Sequence, residues 1–275
     1  MKQRILVLNV LLMLFVASTA FADKLDDMIS PISNPVNFED PRITSELRPI
    51  FAYHEIKDGF VTNGGDVQLY ALQARFALTE DLAFIATKDG FIDFNPDATL
   101  PQETGFANIA AGFKYAFYQD GNNGDIATFG LRYEAPTGNT DVLQGKGSGQ
   151  INPFLSFGTM LGEFQFTGGT GFRFPFDDKD STFYDLDLHL STELFENFYP
   201  TLEFNLVHVL DGGGRLPIKD EGQDLFNFGS IGAAGESIPT GAVGFRYRLC
   251  DSADFGIAYQ FPLDGGSGSK ITDWR

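Results

Sequence analysis

Polar side chains spaced two residues apart are the ones whose chemistry could matter in this chain. The clearest case lies in residues 183–194, where Asp185, Asp187 and His189 alternate with apolar side chains. Because successive side chains of a β-strand point to opposite faces, this spacing predicts one polar face and one apolar face. The same alternation elsewhere selects a polar set that we expect to line one common interior: Arg48, Arg75, Lys114, Arg132, Glu134, Arg173, Asp185, Asp187, His189, Glu193, Glu203, Asn205, Arg246 and Arg248.

A set of mixed charge around one interior could act in two ways. Around an open interior, charged side chains set the field that a solute crosses. Alternatively, opposite charges pair across the interior and close it. Asp185 and Asp187 share a face, as do Arg246 and Arg248. If these pairs lie opposite each other, they make either a transverse field or a salt-bridged closure, and the sequence leaves both open.

The three histidines are His54, His189 and His208. None has the spacing to another His, a Cys or a carboxylate pair that a metal site needs. His208 shares the parity of the apolar Leu206 and Leu210, and no serine at a matching position accompanies it, so a catalytic Ser–His pair is not expected. The sequence therefore predicts no catalytic residue, no metal site and no cofactor, and we do not expect an enzyme.

Period-two alternation broken by turn residues runs through most of the chain. It predicts an all-β protein of about twelve strands. The expected spans are 45–56, 66–78, 82–93, 106–118, 125–135, 150–160, 163–174, 183–194, 198–210, 239–249, 254–262 and 270–275.

The connections between these strands alternate in length. The long ones are expected at 57–65, 94–105, 136–149, 175–182, 211–239 and 263–269, and short turns lie between them. Long loops at one end and short turns at the other are typical of an outer-membrane barrel. We therefore predict a transmembrane, antiparallel up-and-down β-barrel, in which closure leaves no strand edge facing lipid.

The two ends of the chain carry further signals. Residues 1–22 combine an early positive charge, a short apolar run and an A-x-A pattern, which predicts a cleaved secretory signal peptide. Residues 23–42 contain several prolines and are expected to form a periplasmic leader or a small plug, and residues 43–275 form the barrel. The last strand is shorter than the roughly 9–11 residues of a spanning strand, so we expect the native chain to continue past Arg275.

Several short motifs resemble a poorly characterised group of bacterial outer-membrane barrels, related to the MetA-pathway of phenol degradation outer-membrane family. The motifs lie at residues 34–41, 47–50, 70–75, 85–90, 131–134 and 244–248. The resemblance implies a barrel in the cell envelope that takes part in uptake of small aromatic or apolar compounds. It implies no catalytic residues.

The leading hypothesis is an outer-membrane channel or facilitator for passive uptake of small solutes. The alternative is a non-transporting structural or surface-interaction barrel whose lumen is closed by paired charges. Expected partners are outer-membrane lipid, lipopolysaccharide, the outer-membrane assembly machinery of a Gram-negative cell and the solute itself. The formal net charge of −18 argues against any nucleic-acid partner.

Overall fold

The computed structural model describes residues 23–265 and 271–275. Within these ranges the helical structure consists of α1 (Lys24–Asp27) and a 3-10 turn (Thr140–Val142). No helix in the described part of the chain has the length and apolar character needed to cross a membrane. The predicted signal peptide, residues 1–22, lies outside the described residues.

The remaining regular structure is one antiparallel β-sheet, whose strands are joined by turns and loops. Its segments are β1 (Glu46–Ile56), β2 (Gly65–Ala77), β3 (Leu82–Lys88), β4 (Phe91–Pro96), β5 (Glu103–Phe106), β6 (Ile109–Asp120), β7 (Asp125–Ala135), β8 (Gln150–Leu161), β9 (Phe164–Pro175), β10 (Thr182–Thr192), β11 (Phe198–Asp211), β12 (Ser237–Cys250), β13 (Ala253–Pro262) and β14 (Thr272–Trp274).

The fourteen segments correspond to twelve strands of an up-and-down barrel. Strand β2 pairs with β4 over its first half and with β3 over its second half, so β3 and β4 form one interrupted strand. In the same way, β5 pairs with β4 and β6 pairs with β3, so β5 and β6 form the next strand. The predicted all-β barrel of about twelve strands is confirmed.

The interruption between β3 and β4 has a local cause at Gly90. Opposite three residues of β2, this strand carries four, which makes a β-bulge. Gly90 has φ +110°, and a Cβ there would lie 2.5 Å from the backbone oxygen of Tyr70. The carboxylate of Asp89 accepts a hydrogen bond from Leu72 N at 3.0 Å, in place of a ladder bond. Only glycine fits this bend without strain.

The two edges of the sheet are joined through β14. On one side β14 pairs with β1, where Trp274 aligns with Glu55. On the other side Arg275 exchanges two backbone hydrogen bonds with Gln260 of β13, with N–O distances of 2.7 and 2.9 Å. The ring of Tyr259 in β13 stacks on Trp274 with centroids 5.8 Å apart. The strand expected at 270–275 is therefore observed at residues 272–274.

Alternation along each strand separates an apolar outer face from a polar inner face. In β6, Phe113 and Tyr115 are 52 % and 50 % exposed, whereas Lys114 between them is 1 % exposed. A lysine is buried so completely only when it has partners. The exposed apolar side chains form the outer wall, and the charged side chains point to the interior.

The connections sort by length to the two ends of the barrel, as predicted. Loops 57–64, 97–102, 136–149, 176–181 and 212–236 lie at one end, here called the long-loop end. The opposite end, the short-turn end, has connections of two to five residues. The long connection 212–236 folds over the interior and is here called the cap loop.

The interior is filled from both ends. The N-terminal segment, residues 23–42, enters at the short-turn end, where Leu25 and Met28 pack with Ala116 and Ile126. At the long-loop end, Leu225, Phe226 and Phe228 of the cap loop belong to a buried apolar cluster with inward side chains of β1, β2 and β4. The middle of the barrel, between these two apolar regions, holds the charged side chains.

Candidate functional site

Glu39 of the N-terminal segment binds two cations of the barrel wall. Arg75 of β2 holds its carboxylate with two parallel hydrogen bonds of 2.7 and 2.8 Å. Lys114 of β6 donates to the same carboxylate at 2.9 Å and to the backbone oxygen of Asp40 at 2.6 Å. Bidentate guanidinium–carboxylate pairs of this kind combine strength with fixed geometry.

The carboxylates of Glu39 and Asp40 are both held in their charged form. Burial by itself would raise the pKa of Glu39, but the charges of Arg75 and Lys114 hold it well below its ordinary value. Burial would likewise raise the pKa of Asp40, and its pair with Arg42 at 2.6 Å holds that pKa well below the usual range. A nearby opposite charge therefore outweighs desolvation at both positions.

The acidic side of the interior binds the same segment through hydrogen-bond donors. Glu203 of β11 accepts bonds from the backbone nitrogens of Ile32 and Ser33 at 2.8 and 2.6 Å, and from the hydroxyl of Ser33. Asp187 of β10 accepts from the amide of Asn34 at 2.7 Å. Asn205 also donates to Asp187, at 2.8 Å.

His189 takes a supporting position beside Glu203. Its Nδ1 lies 2.8 Å from the Glu203 carboxylate and its Nε2 lies 3.1 Å from the hydroxyl of Ser191. The His189 side chain is completely buried, and the two partners of its ring nitrogens are a carboxylate and a hydroxyl. Its observed contacts are those of a hydrogen-bonding residue of the interior.

Three further arginines bind backbone oxygens of the N-terminal segment. Arg246 donates to Ser30 and Pro31 at 2.5 and 3.0 Å, and Arg248 donates to Asp26 at 3.1 Å. Arg132 donates to the backbone oxygens of residues 36 and 37, and its guanidinium lies 4.5 Å from the ring centre of Phe154. The wall cations thus hold this segment by its backbone as well as by Glu39.

Near the long-loop end, the inner face of the wall contains two ion pairs between wall residues. Arg173 binds Asp185 with two hydrogen bonds of 2.9 Å and donates to the backbone oxygen of Gln223 in the cap loop at 3.1 Å. Lys88 binds Glu134 at 2.6 Å. The Arg173–Asp185 pair joins the neighbouring strands β9 and β10 to the cap loop, and the Lys88–Glu134 pair joins β3 to β7 across β6.

The specific pairing considered from the sequence, with Asp185 and Asp187 against Arg246 and Arg248, is not observed among the described residues. Arg246 and Arg248 bind the N-terminal segment, and neither forms an ion pair with Asp185 or Asp187 among the described residues. Arg48 pairs with Glu46 at 2.7 Å on its own strand. The interior charges therefore divide into two groups. One group binds residues 23–42, and the other forms ion pairs within the wall.

The predicted inward position of Glu193 is wrong. Strand β10 ends at Thr192, and Glu193 lies exposed in the following turn. Its carboxylate accepts a hydrogen bond from the backbone nitrogen of Asn197 at 2.7 Å, and Asn197 has φ +65°. The turn was expected, but it begins two residues earlier than predicted, so Glu193 belongs to the turn and stabilises it.

One pairing that the sequence excluded is present on the outer wall. Ser237 of β12 aligns with His208 of β11, and its hydroxyl lies 2.8 Å from His208 Nδ1. Spacing along the chain does not indicate this serine, because register between two strands brings it to His208. Within the described residues, no carboxylate or amide hydrogen-bonds to the ring of His208, so the pair lacks the orienting third group of a catalytic triad.

Several contributing residues carried no recognisable signal in the sequence. Glu39, Asn34 and Asp40 lie outside any strand, and Gln165, which bonds both the nitrogen and the oxygen of Ile29 at 2.7 Å, looked like any polar strand residue. The acidic pair Glu39 and Asp40, next to Pro41, was the one feature of the sequence that could have drawn attention to this segment. In the described parts of the chain, no group of three or more metal-binding side chains is placed to hold a metal ion.

The fold and the site together define a class: a twelve-stranded antiparallel barrel with an apolar outer wall and an interior occupied by its own N-terminal segment. No protein-family model matches the chain, and no curated protein matches it either. Among solved structures, it is similar to the COG4313 outer membrane channel from Pseudomonas putida F1. The two share 13 % sequence identity with a TM-score of 0.54, over 86 % of this chain and 92 % of that one. At this identity the likeness establishes the fold.

Proposed function

We propose that this protein is an outer-membrane channel for passive uptake of small solutes, closed in the observed conformation by residues 23–42. The observation that carries the proposal is the way the N-terminal segment is bound. It is held by separate side-chain contacts rather than by a β-ladder, so it can leave without breaking the barrel wall. The solved channel of similar fold adds support, as does the exposed apolar outer face, which suits lipid.

In this proposal the polar interior residues form the solute path once the segment has moved. Withdrawal of residues 23–42, together with displacement of the cap loop, leaves an open interior. Its lining then includes the cations Arg75, Lys114, Arg132 and Arg246 and the carboxylates Asp187 and Glu203. The resemblance to the MetA-pathway family extends the proposal to aromatic or apolar solutes. The observed contacts favour gated transport over a permanently closed structural barrel. Arg75, Lys114 and Glu203 bind a separable segment, whereas the ion pairs within the wall, such as Arg173–Asp185, do not hold that segment.

A reversible cross-link tests the proposal. The hydroxyl of Ser33 donates to the side-chain oxygen of Asn205 at 2.8 Å, so Ser33→Cys with Asn205→Cys, in a Cys250→Ser background, should form a disulfide between segment and wall. In planar bilayers we expect no ion conductance from the oxidised protein and stepwise increases in conductance after reduction.

The matched control cross-links wall to wall. Thr128 and Ser156 are cross-strand partners on β7 and β8, with their hydroxyl oxygens 2.6 Å apart. A disulfide between Thr128→Cys and Ser156→Cys should leave conductance equal before and after reduction. If a folded barrel stays silent after reduction, and also after deletion of residues 23–42, the channel proposal is wrong.

A further inference from the structure

A small cavity lies inside the barrel between the N-terminal segment and the cap loop. Its volume is about 20 Å³. Six of its nine lining residues are apolar. They are Pro35 and Val36 of the N-terminal segment, Ala52 of β1, Val67 and Leu69 of β2, and Leu225 of the cap loop. The cavity therefore sits at the narrow point between the two elements that close the barrel.

Two polar atoms on this lining are buried without a hydrogen-bond partner among the described residues. They are Nε2 of His54, a residue that is 4 % exposed, and Nη2 of Arg275. Arg275 uses its other nitrogens for Asp224 at 2.7 Å and for Gln260 at 2.9 Å. Buried polar atoms are nearly always satisfied, so two such atoms on one apolar cavity indicate a group that bonds both.

The charges around the cavity limit the chemistry of that group. The guanidinium of Arg275 is already paired with the carboxylate of Asp224, so the lining carries no excess positive charge from this pair. A neutral imidazole can accept a hydrogen bond at Nε2, while the guanidinium can only donate. A group that both donates and accepts can satisfy the two atoms, and a hydroxyl does so by donating to His54 and accepting from Arg275.

We propose that this cavity binds small neutral molecules that carry one hydroxyl on an apolar body. The proposal names a solute class for the proposed channel and rests on that function. The hydroxyl bridges His54 and Arg275, and the body lies against Val67 and Leu69. In the closed conformation the cavity has room for one water-sized group. A ring-sized body can enter when Leu225 moves. Leu225 lies on the cap loop and can move, whereas Val67 and Leu69 are fixed in a strand.

The test uses the ring nitrogens of the three histidines as reporters. In ¹⁵N-histidine-labelled protein in lipid nanodiscs, we expect titration with cyclohexanol to shift Nε2 of His54, with His189 and His208 unmoved. Methylcyclohexane has nearly the same shape and lacks the hydroxyl. At equal aqueous concentration it should leave the signal of His54 unchanged. Cyclohexanecarboxylate should bind at least tenfold more weakly than cyclohexanol, because the site offers no unpaired positive charge.

Two variants locate the site. Arg275→Gln should raise the midpoint concentration of cyclohexanol at least tenfold. Leu225→Ala should lower it about threefold or more by enlarging the cavity, and it keeps the test decisive if the arginine variant folds poorly. His208→Gln, on the outer wall, is the matched control and should leave the midpoint unchanged.

Three results would overturn the proposal: no shift of His54, equal shifts by cyclohexanol and methylcyclohexane, or tighter binding of the carboxylate. The reporter signal does not depend on ion conductance. A barrel that conducts but does not bind cyclohexanol refutes the solute class alone, whereas a barrel that binds but never conducts refutes the proposed channel.

Discussion

Glu39 is the residue that links the N-terminal segment to the barrel wall most directly, since its carboxylate binds both Arg75 and Lys114. Removing one partner from a buried charge cluster is more costly than the net contribution of the pair, because the remaining charges stay buried without compensation. The closed conformation therefore depends strongly on a residue that no strand pattern could have indicated.

The substitution Glu39→Gln should release the segment. We expect docking of residues 23–42 to weaken by about 3–5 kcal/mol, because buried Lys114 loses its carboxylate partner and buried Arg75 keeps only its ion pair with Glu46. The measurement is the rate of protease cleavage within residues 23–42 of the folded barrel, together with the frequency of channel openings. Glu80→Gln, in an exposed turn, is the control. Equal cleavage rates in the two variants would contradict this role of Glu39.

Acid should also release the segment. The pKa of Glu39 lies below its ordinary value of 4.5 when docked, so the docked state binds fewer protons than the released state. The stabilisation is therefore fully present above that ordinary value and is lost as pH falls toward the docked pKa.

We expect channel openings to be rare and constant from about pH 6 to 8 and to become frequent below about pH 4.5. Glu39→Gln should make the acid response smaller, leaving the part contributed by Asp40. A transition centred near neutral pH would point to a histidine and would contradict this account.

At the scale of elements, the cap loop is organised around one buried carboxylate. Glu221 accepts hydrogen bonds from the Ser181 hydroxyl at 2.6 Å and from the backbone nitrogens of Ser230 and Phe228 at 2.7 and 2.8 Å. These bonds hold the loop in the bend that directs Phe226 and Phe228 to the interior. A loop of this length without secondary structure needs such internal contacts to stay folded.

Glu221→Ala should loosen the cap loop while leaving the barrel intact. Each buried donor that loses its partner costs about 1–3 kcal/mol. We expect amide hydrogen exchange in residues 221–230 to become at least tenfold faster, with the exchange of β11 and β12 unchanged. Asp178→Ala, exposed in a neighbouring loop, is the matched control. Unchanged exchange in the cap loop would show that apolar packing alone holds it.

For the whole molecule, the apolar outer wall allows a prediction of how charged substitutions change the free energy of unfolding in a lipid bilayer. A charge on a lipid-facing position destabilises a barrel by about 2–4 kcal/mol at the bilayer midplane and by about 0–1 kcal/mol near the interfaces. Phe113 lies in the middle of a strand, and Leu47 lies at the beginning of one. Both side chains are exposed on the outer face.

Phe113→Arg should therefore lower the free energy of unfolding in phospholipid bilayers by about 2–4 kcal/mol, and Leu47→Arg by about 1 kcal/mol or less. Denaturant titration of vesicle-embedded protein measures both. In detergent the difference should shrink, because micelles adapt to the charge. Equal effects of the two substitutions in bilayers would argue against a membrane-spanning outer wall.

Local sequence patterns were sufficient to predict the strands, their inner and outer faces and the alternation of long and short connections. These features follow from local rules: side chains of a strand alternate, and glycine, asparagine, aspartate and proline break strands. The predicted spans of β7, β8 and β11 agree with the structure to within one residue at each end. Even the strands that β-bulges interrupt were placed in the right regions.

Only the tertiary structure decided what the inner face binds. The partners of Arg75, Glu203 and Arg246 lie 36, 170 and 216 residues away along the chain. Cross-strand register brought Ser237 to His208, and closure of the sheet brought Arg275 beside His54 at one cavity. Periodicity reports which face a side chain occupies, but it carries no information about which distant segment will fill the interior.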